Sequence, residues 1–192
     1  MTQEHVDLFF RSPRSKPSFP NWFGVLYLLR RDIDLCMGID PDGEEDVPPS
    51  HRALWPGAMA ILAGVDLLAK FFAGSDHTEK VGWRFRQFLE HCFDVKKLEN
   101  PEVIYQLRNS LLHSFGLYSR TEKKEYHFFL DSKDTGTLVS RRPPDRYVIQ
   151  LPVLHREFEA AVESYRKVLG SDLERQDNFD KMFGRYGRIH IG

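Results

Sequence analysis

The 192-residue chain has only two cysteines, Cys36 and Cys92, far apart and with no CxxC between them. They read as two reduced thiols of a reducing interior rather than as a disulfide framework. Charge of one sign is also lacking: 27 Lys and Arg face 28 Asp and Glu, for a formal net charge of −1. A protein that coats nucleic acid through its overall field is thereby excluded, so any polyanion site must be local. Residues 1–10 contain Glu4 and Asp7 and no basic stretch followed by a long apolar one, which does not read as a secretory signal. The longest apolar window, residues 57–73, is interrupted by Asp66 and Lys70 and is shorter than the roughly 20 residues a membrane span needs. It reads as the buried core helix of a cytoplasmic protein that makes no membrane contact. Chemistry-bearing motifs are scarce as well. There is no GxxxxGK[ST] phosphate loop, no GxGxxG, no GxSxG elbow and no HExxH. The eight histidines are scattered. His91 and Cys92 are adjacent but point about 100° apart on a helix, so neither a metal nor a cofactor is expected.

What is present is an ordinary globular composition, 41% hydrophobic and 29% charged, in a length that suits one domain with its own core. Residues 1–21, which include the Pro-, Ser- and Arg-rich stretch 11–20, read as a flexible arm. Residues 22–192 read as one mainly α-helical domain. Its bundle core spans about 22–119, a small β insertion about 124–151, and C-terminal helices 152–186. Apolar periodicity predicts helices over 22–37, 50–72, 76–93 and 101–117. Asn100-Pro101-Glu102 supplies the start signal of the fourth. The acidic stretch 39–50 reads as a surface loop, because its DPDGEED run lacks the ligand spacing of a calcium-binding EF-hand. Strand candidates at 125–130, 137–140 and 146–151 suggest a hairpin or a three-stranded sheet. Further helices are predicted over 152–169 and, shorter and polar, over 172–183, followed by a basic aromatic tail around Phe183 and Tyr186.

One constellation stands out, on the fourth helix. At about 100° per residue, Ile104, Leu107, Leu111 and Phe115 form the core stripe, with Arg108 at its border and His113 about 140° further round. Between them fall Tyr105, Asn109, Leu112 and Gly116, and the glycine would let a backbone or a ligand approach closely. A cation, an amide, an aromatic ring and an imidazole on one face are not a solvated charge pattern. Arginine offers a planar fork of donors to a phosphate, and an imidazole exchanges protons near neutral pH. Together they suit metal-free cleavage of a phosphodiester with an RNA 2′-hydroxyl as the nucleophile. The plainer reading is a core-edge Arg108 paired with a carboxylate and a His113 that only decorates the surface. Asp66 interrupts an apolar helix and is costly to bury alone. The expectation is that it meets Arg108 or His113 across the bundle and orients the motif.

The run RNSLLH, with Arg108, Asn109 and His113, resembles the Arg-x4-6-His motif of the HEPN domain superfamily. The similarity extends over residues 49–119, including the apolar helix AILAGVDLLAKFFAG. The resemblance implies a HEPN-like helical bundle, a homodimer through the motif helix, and a metal-independent endoribonuclease of toxin or defence type. It implies that Arg108 holds the phosphate, that His113 transfers protons, and that Asn109 is their polar companion. Tyr105 would contact the substrate and Asp66 would act from behind. RNA and a protein partner such as an antitoxin follow as the implied ligands. The alternative is a catalytically silent HEPN-like module that binds a nucleotide, RNA or a protein.

Overall fold

Helix α3 (Leu54–Ala73) organises the molecule. Apart from Asp66 and Lys70 it is uncharged, and it is apolar on most of its circumference, so it must be enclosed on several sides. The computed structural model, which describes residues 1–15, 22–40, 48, 52–94, 101–143 and 145–190, surrounds it with five other helices. These are α2 (Val25–Met37), α4 (Val81–Cys92), α5 (Pro101–Ser114), α6 (Leu151–Leu169) and α7 (Leu173–Tyr186). Ile61, Leu62, Val65, Leu68, Ala69 and Phe71 are wholly buried along α3. The helix is longer than the apolar window suggested, and by length and composition alone it could cross a membrane. Its buried side chains instead pack on the surrounding helices.

Two helices stop where the chain offers glycine. Gly38 ends α2 at φ 73° and Gly74 ends α3 at φ 61°, left-handed conformations that disfavour a Cβ.

Both ends of the described chain depart from expectation. The first ten residues are not an arm. Residues Gln3–Phe9 form α1, capped by Thr2, and Val6, Phe9 and Phe10 enter the core, where Phe9 packs on Phe71 and Phe179. A seven-residue helix carries too little periodicity to be recognised, and only its long-range contacts hold it. Lys16 and the proline-rich stretch through residue 21 lie outside the described residues, as does most of the acidic 39–50 loop. The polar C-terminal helix is longer than predicted and inserts Phe179, Met182 and Phe183 into the core. Beyond it, β6 (Arg188–His190) pairs antiparallel with β1 (Trp22–Gly24), a two-stranded ribbon that no local pattern announced.

The second sheet has four strands in the order β2-β3-β5-β4: β2 (Tyr118–Arg120), β3 (Glu125–Asp131), β4 (Val139–Arg142) and β5 (Arg146–Gln150). β3 and β5 run parallel and the other pairs antiparallel, so the turn after β3 does not close a hairpin. Tyr126, Phe128, Tyr147 and Ile149 are buried on the central pair, which explains why those two strands neighbour one another. The small sheet matters to the motif through β2, which follows α5 directly. Cys36 and Cys92 are both free thiols.

Candidate functional site

Helix α5 opens with Pro101 and Glu102 and buries Ile104, Leu107 and Leu111 at 0% exposure, the core stripe predicted from its periodicity. Phe115 does not continue that stripe. The helix ends at Ser114, Phe115 takes φ 47°, and its ring is 70% exposed. A wheel extrapolated past a helix end assigns the wrong face. Gly116 likewise provides no tight approach, since a Cβ there would meet only the Ser114 carbonyl, at 3.7 Å.

Arg108 is 8% exposed, and its guanidinium is almost fully engaged. Nε donates to Asp66 Oδ2 at 2.7 Å, and Nη2 donates to the same oxygen. Nη1 donates to Asn109 Oδ1 at 3.1 Å and also meets His113 Nε2. Four of its five N–H groups therefore have acceptors. A guanidinium only donates, so in this contact Nε2 of His113 accepts and the ring proton sits on Nδ1. The expected meeting of Asp66 with Arg108 is present across the α3–α5 contact. It joins two largely buried groups of opposite charge, with side-chain exposures of 10% for Arg108 and 13% for Asp66.

A second buried cation, Arg84 on α4, completes the cluster at 2% exposure. Burial pulls its pKa down; Asp66 opposes that shift and Arg108 adds to it. Arg84 Nη1 donates to the His77 carbonyl at 2.6 Å, whereas Nε is buried without a partner, as is Asp66 Oδ1. Two guanidinia and one carboxylate thus share a low-dielectric interior, and the summed charge of the three is positive. The sequence contained the signal for Arg84. It falls on the apolar stripe of α4 with Phe85, Phe88 and Cys92, as Asp66 falls on the stripe of α3. Two opposite charges on the apolar stripes of adjacent helices point to a buried pair.

Asn109 is half-buried, and His113, in the last turn of α5, is exposed. Both open onto a groove of about 570 Å³ between α5 and β2. Tyr105 lines it from α5, and Tyr118, Ser119 and Arg120 from β2. Ser119 Oγ donates to Gln106 Oε1 at 2.5 Å, which ties the strand to the helix. None of the groove's nine lining residues is acidic. Arg108 and Asp66 do not line it and lie behind its wall. Tyr105 is held in place: a Cβ on Gly82 would come within 2.8 Å of its hydroxyl, and the Arg86 guanidinium lies 4.8 Å from its ring centroid.

The other basic candidates are largely occupied within the fold. Arg141 pairs with Asp145 at 3.2 Å, Arg185 with Asp76 at 3.0 Å, and Lys181 caps the Gly74 carbonyl at 2.7 Å. Arg188 lies 4.9 Å from the Trp22 ring centroid. Among the described residues no group of three or more His, Cys, Asp or Glu side chains could hold a metal ion. Comparison with protein-family models, curated proteins and solved structures finds no match for this chain.

Proposed function

We propose that the protein is a HEPN-like, metal-independent endoribonuclease whose site is the groove between α5 and β2. The observation that carries the reading is the Arg108–Asn109–His113 hydrogen-bonded set at the wall of an open polar groove without acidic lining. No carboxylate lines the groove itself, Glu125 standing 3.7 Å from Arg120 and Glu102 accepting from Gln106 at its border, and Tyr105 and Tyr118 offer faces on which unpaired bases stack. In this reading the 2′-hydroxyl attacks the adjacent phosphorus and the 5′-oxygen leaves, giving a 2′,3′-cyclic phosphate and a 5′-hydroxyl. Once the substrate displaces the Arg108 contact, His113 Nε2 takes the 2′-hydroxyl proton, and the imidazolium so formed returns a proton to the leaving 5′-oxygen. Arg108 then turns its freed Nη1 toward the phosphate while Asp66 holds the opposite edge of the fork. A second copy of the chain, docked through α5, would double the cation and the imidazole in one cleft. Near-neutral net charge makes such an enzyme selective rather than an indiscriminate RNA binder.

One observation favours a second reading. With four of five N–H groups engaged and little exposure, Arg108 also works as a structural clamp. The groove would then bind a nucleotide, RNA or a protein partner such as an antitoxin without cleaving anything.

The discriminating experiment incubates the full chain with varied single-stranded RNAs in EDTA. Cleavage leaving cyclic phosphate ends is expected, with a loss of about 10²–10⁴-fold in His113→Ala. RNA binding without cleavage supports the module instead, and undiminished cleavage in His113→Ala removes the imidazole from the mechanism.

A further inference from the structure

A second pocket, of about 460 Å³, lies away from the motif. It sits between the turn that follows α1, helix α2 and helix α6. Its floor is a two-by-two array of ionisable side chains at i, i+4 spacing: Arg30 and Asp34 on α2, His155 and Glu159 on α6. The two pairs differ in quality. Arg30 is 5% exposed and fully committed: Nε donates to both oxygens of Glu159 at 3.0 and 3.1 Å, and Nη1 donates to the Arg11 carbonyl at 3.2 Å. Asp34 and His155 are each 7% exposed and loosely engaged. His155 Nε2 lies 3.2 Å from Asp34 Oδ1, yet the geometry makes no hydrogen bond, and Nε2 is buried without a partner. Among the described residues, that imidazole is the only partner of the Asp34 carboxylate.

At the mouth stand Ser12, Pro13 and Arg14. Arg14 is exposed, and among the described residues its guanidinium has no ion-pair partner. The pocket therefore presents an uncommitted cation at its rim and an under-bonded carboxylate–imidazole pair at its floor. Its volume is in the range of pockets that enclose small organic ligands. A rim cation takes an anionic head, best a phosphate, through a planar fork. A buried carboxylate beside an imidazole takes hydroxyl groups, which satisfy the acceptors that the fold leaves open.

We infer that this pocket binds a small phosphomonoester with a hydroxyl-bearing body, its phosphate on Arg14 and its hydroxyls on Asp34 and His155. The site uses no residue of the α5 groove and stands whether or not that groove cleaves RNA. The test is calorimetric titration of the full chain with ribose 5-phosphate and, separately, with inorganic phosphate. Saturable binding of ribose 5-phosphate, at least tenfold tighter than inorganic phosphate, is expected. Arg14→Ala should weaken it at least fivefold. Asp34→Asn should reduce the preference over inorganic phosphate to less than threefold, with an unchanged circular dichroism spectrum as the folding check. His113→Ala should leave both titrations unchanged. If neither probe saturates, or if Arg14→Ala binds as wild type does, the inference fails. Equal affinity for the two probes would overturn the assignment of the hydroxyls to the floor.

Discussion

Asp66 is the residue on which the buried charge of the α3–α5 contact turns. Removing one partner of a buried ion pair costs more than the pair is worth, because the other charge stays behind. Asp66→Ala would leave Arg108 buried without its counter-charge, with Arg84 a second buried cation, so it should lose about 3–5 kcal/mol in urea denaturation. Replacing both partners, as in Asp66→Leu with Arg108→Met, should recover most of that stability, since apolar residues of similar volume pack in the same space. If the groove cleaves RNA as proposed, the double variant should lack that cleavage despite its recovered stability. A double variant as unstable as Asp66→Ala would show that the cluster's worth lies in more than relieved charge. The thiols give a second residue-scale expectation. Burial pushes Cys92 up to about 12, so it stays a thiol where its unfolded counterpart, near 9, ionises. Its raised pKa contributes stability that is present below 9 and is lost as pH rises toward 12. In the native protein, labelling by a thiol reagent at pH 8 should reach Cys36 well before Cys92, and the order should vanish in denaturant.

At the scale of elements, the C-terminus of α3 is sealed by α7. Asn178 Nδ2 and Arg175 Nη1 donate to the Phe72 carbonyl at 3.1 and 2.8 Å, and Lys181 donates to the Gly74 carbonyl. These are the orphan carbonyls of a long helix, and two of the donors are cations at its negative end. Gly74 is forced there twice over, by its positive φ and by Asn178, whose Oδ1 would lie 2.0 Å from an added Cβ. Gly74→Ala should therefore cost about 1–3 kcal/mol and lower the melting temperature by several degrees, with α7 loosening first in hydrogen exchange. Elements were also where the sequence was most and least legible. Long amphipathic stretches such as α2, α5 and α6 declared themselves by period and punctuation. Asp66 declared itself by interrupting one. Phe115 misled because periodicity says nothing of where a helix ends. β2 begins just past that overextended helix and was not predicted at all, and with it the far wall of the groove was missed. The parallel pairing of β3 with β5, and the antiparallel pairing of β1 with β6 across the chain, depend on contacts that no local window contains.

At the scale of the molecule, the described N-terminal segment is part of the core. Val6, Phe9 and Phe10 are 5%, 0% and 1% exposed, and each such side chain is worth about 1.5–3 kcal/mol of burial. Against a net stability of about 5–15 kcal/mol, a chain lacking residues 1–10 should be largely unfolded at 37 °C by circular dichroism. A cooperative melt at the wild-type temperature would show that α1 is dispensable. The meeting of Phe9 with Phe183, and of Trp22 with His190, also bears on how the molecule assembles. Part of the packing of α1, on Phe179 and Phe183, is encoded at the opposite end of the described chain. During synthesis Phe71 emerges early enough to cover part of the aromatic face of α1, but Phe179 and Phe183 complete that cover only when α7 has emerged. Folding is therefore closed by a late, high-contact-order step, and until that step the α1 side chains stand partly open to chaperones, to proteases and to other copies of the same nascent chain.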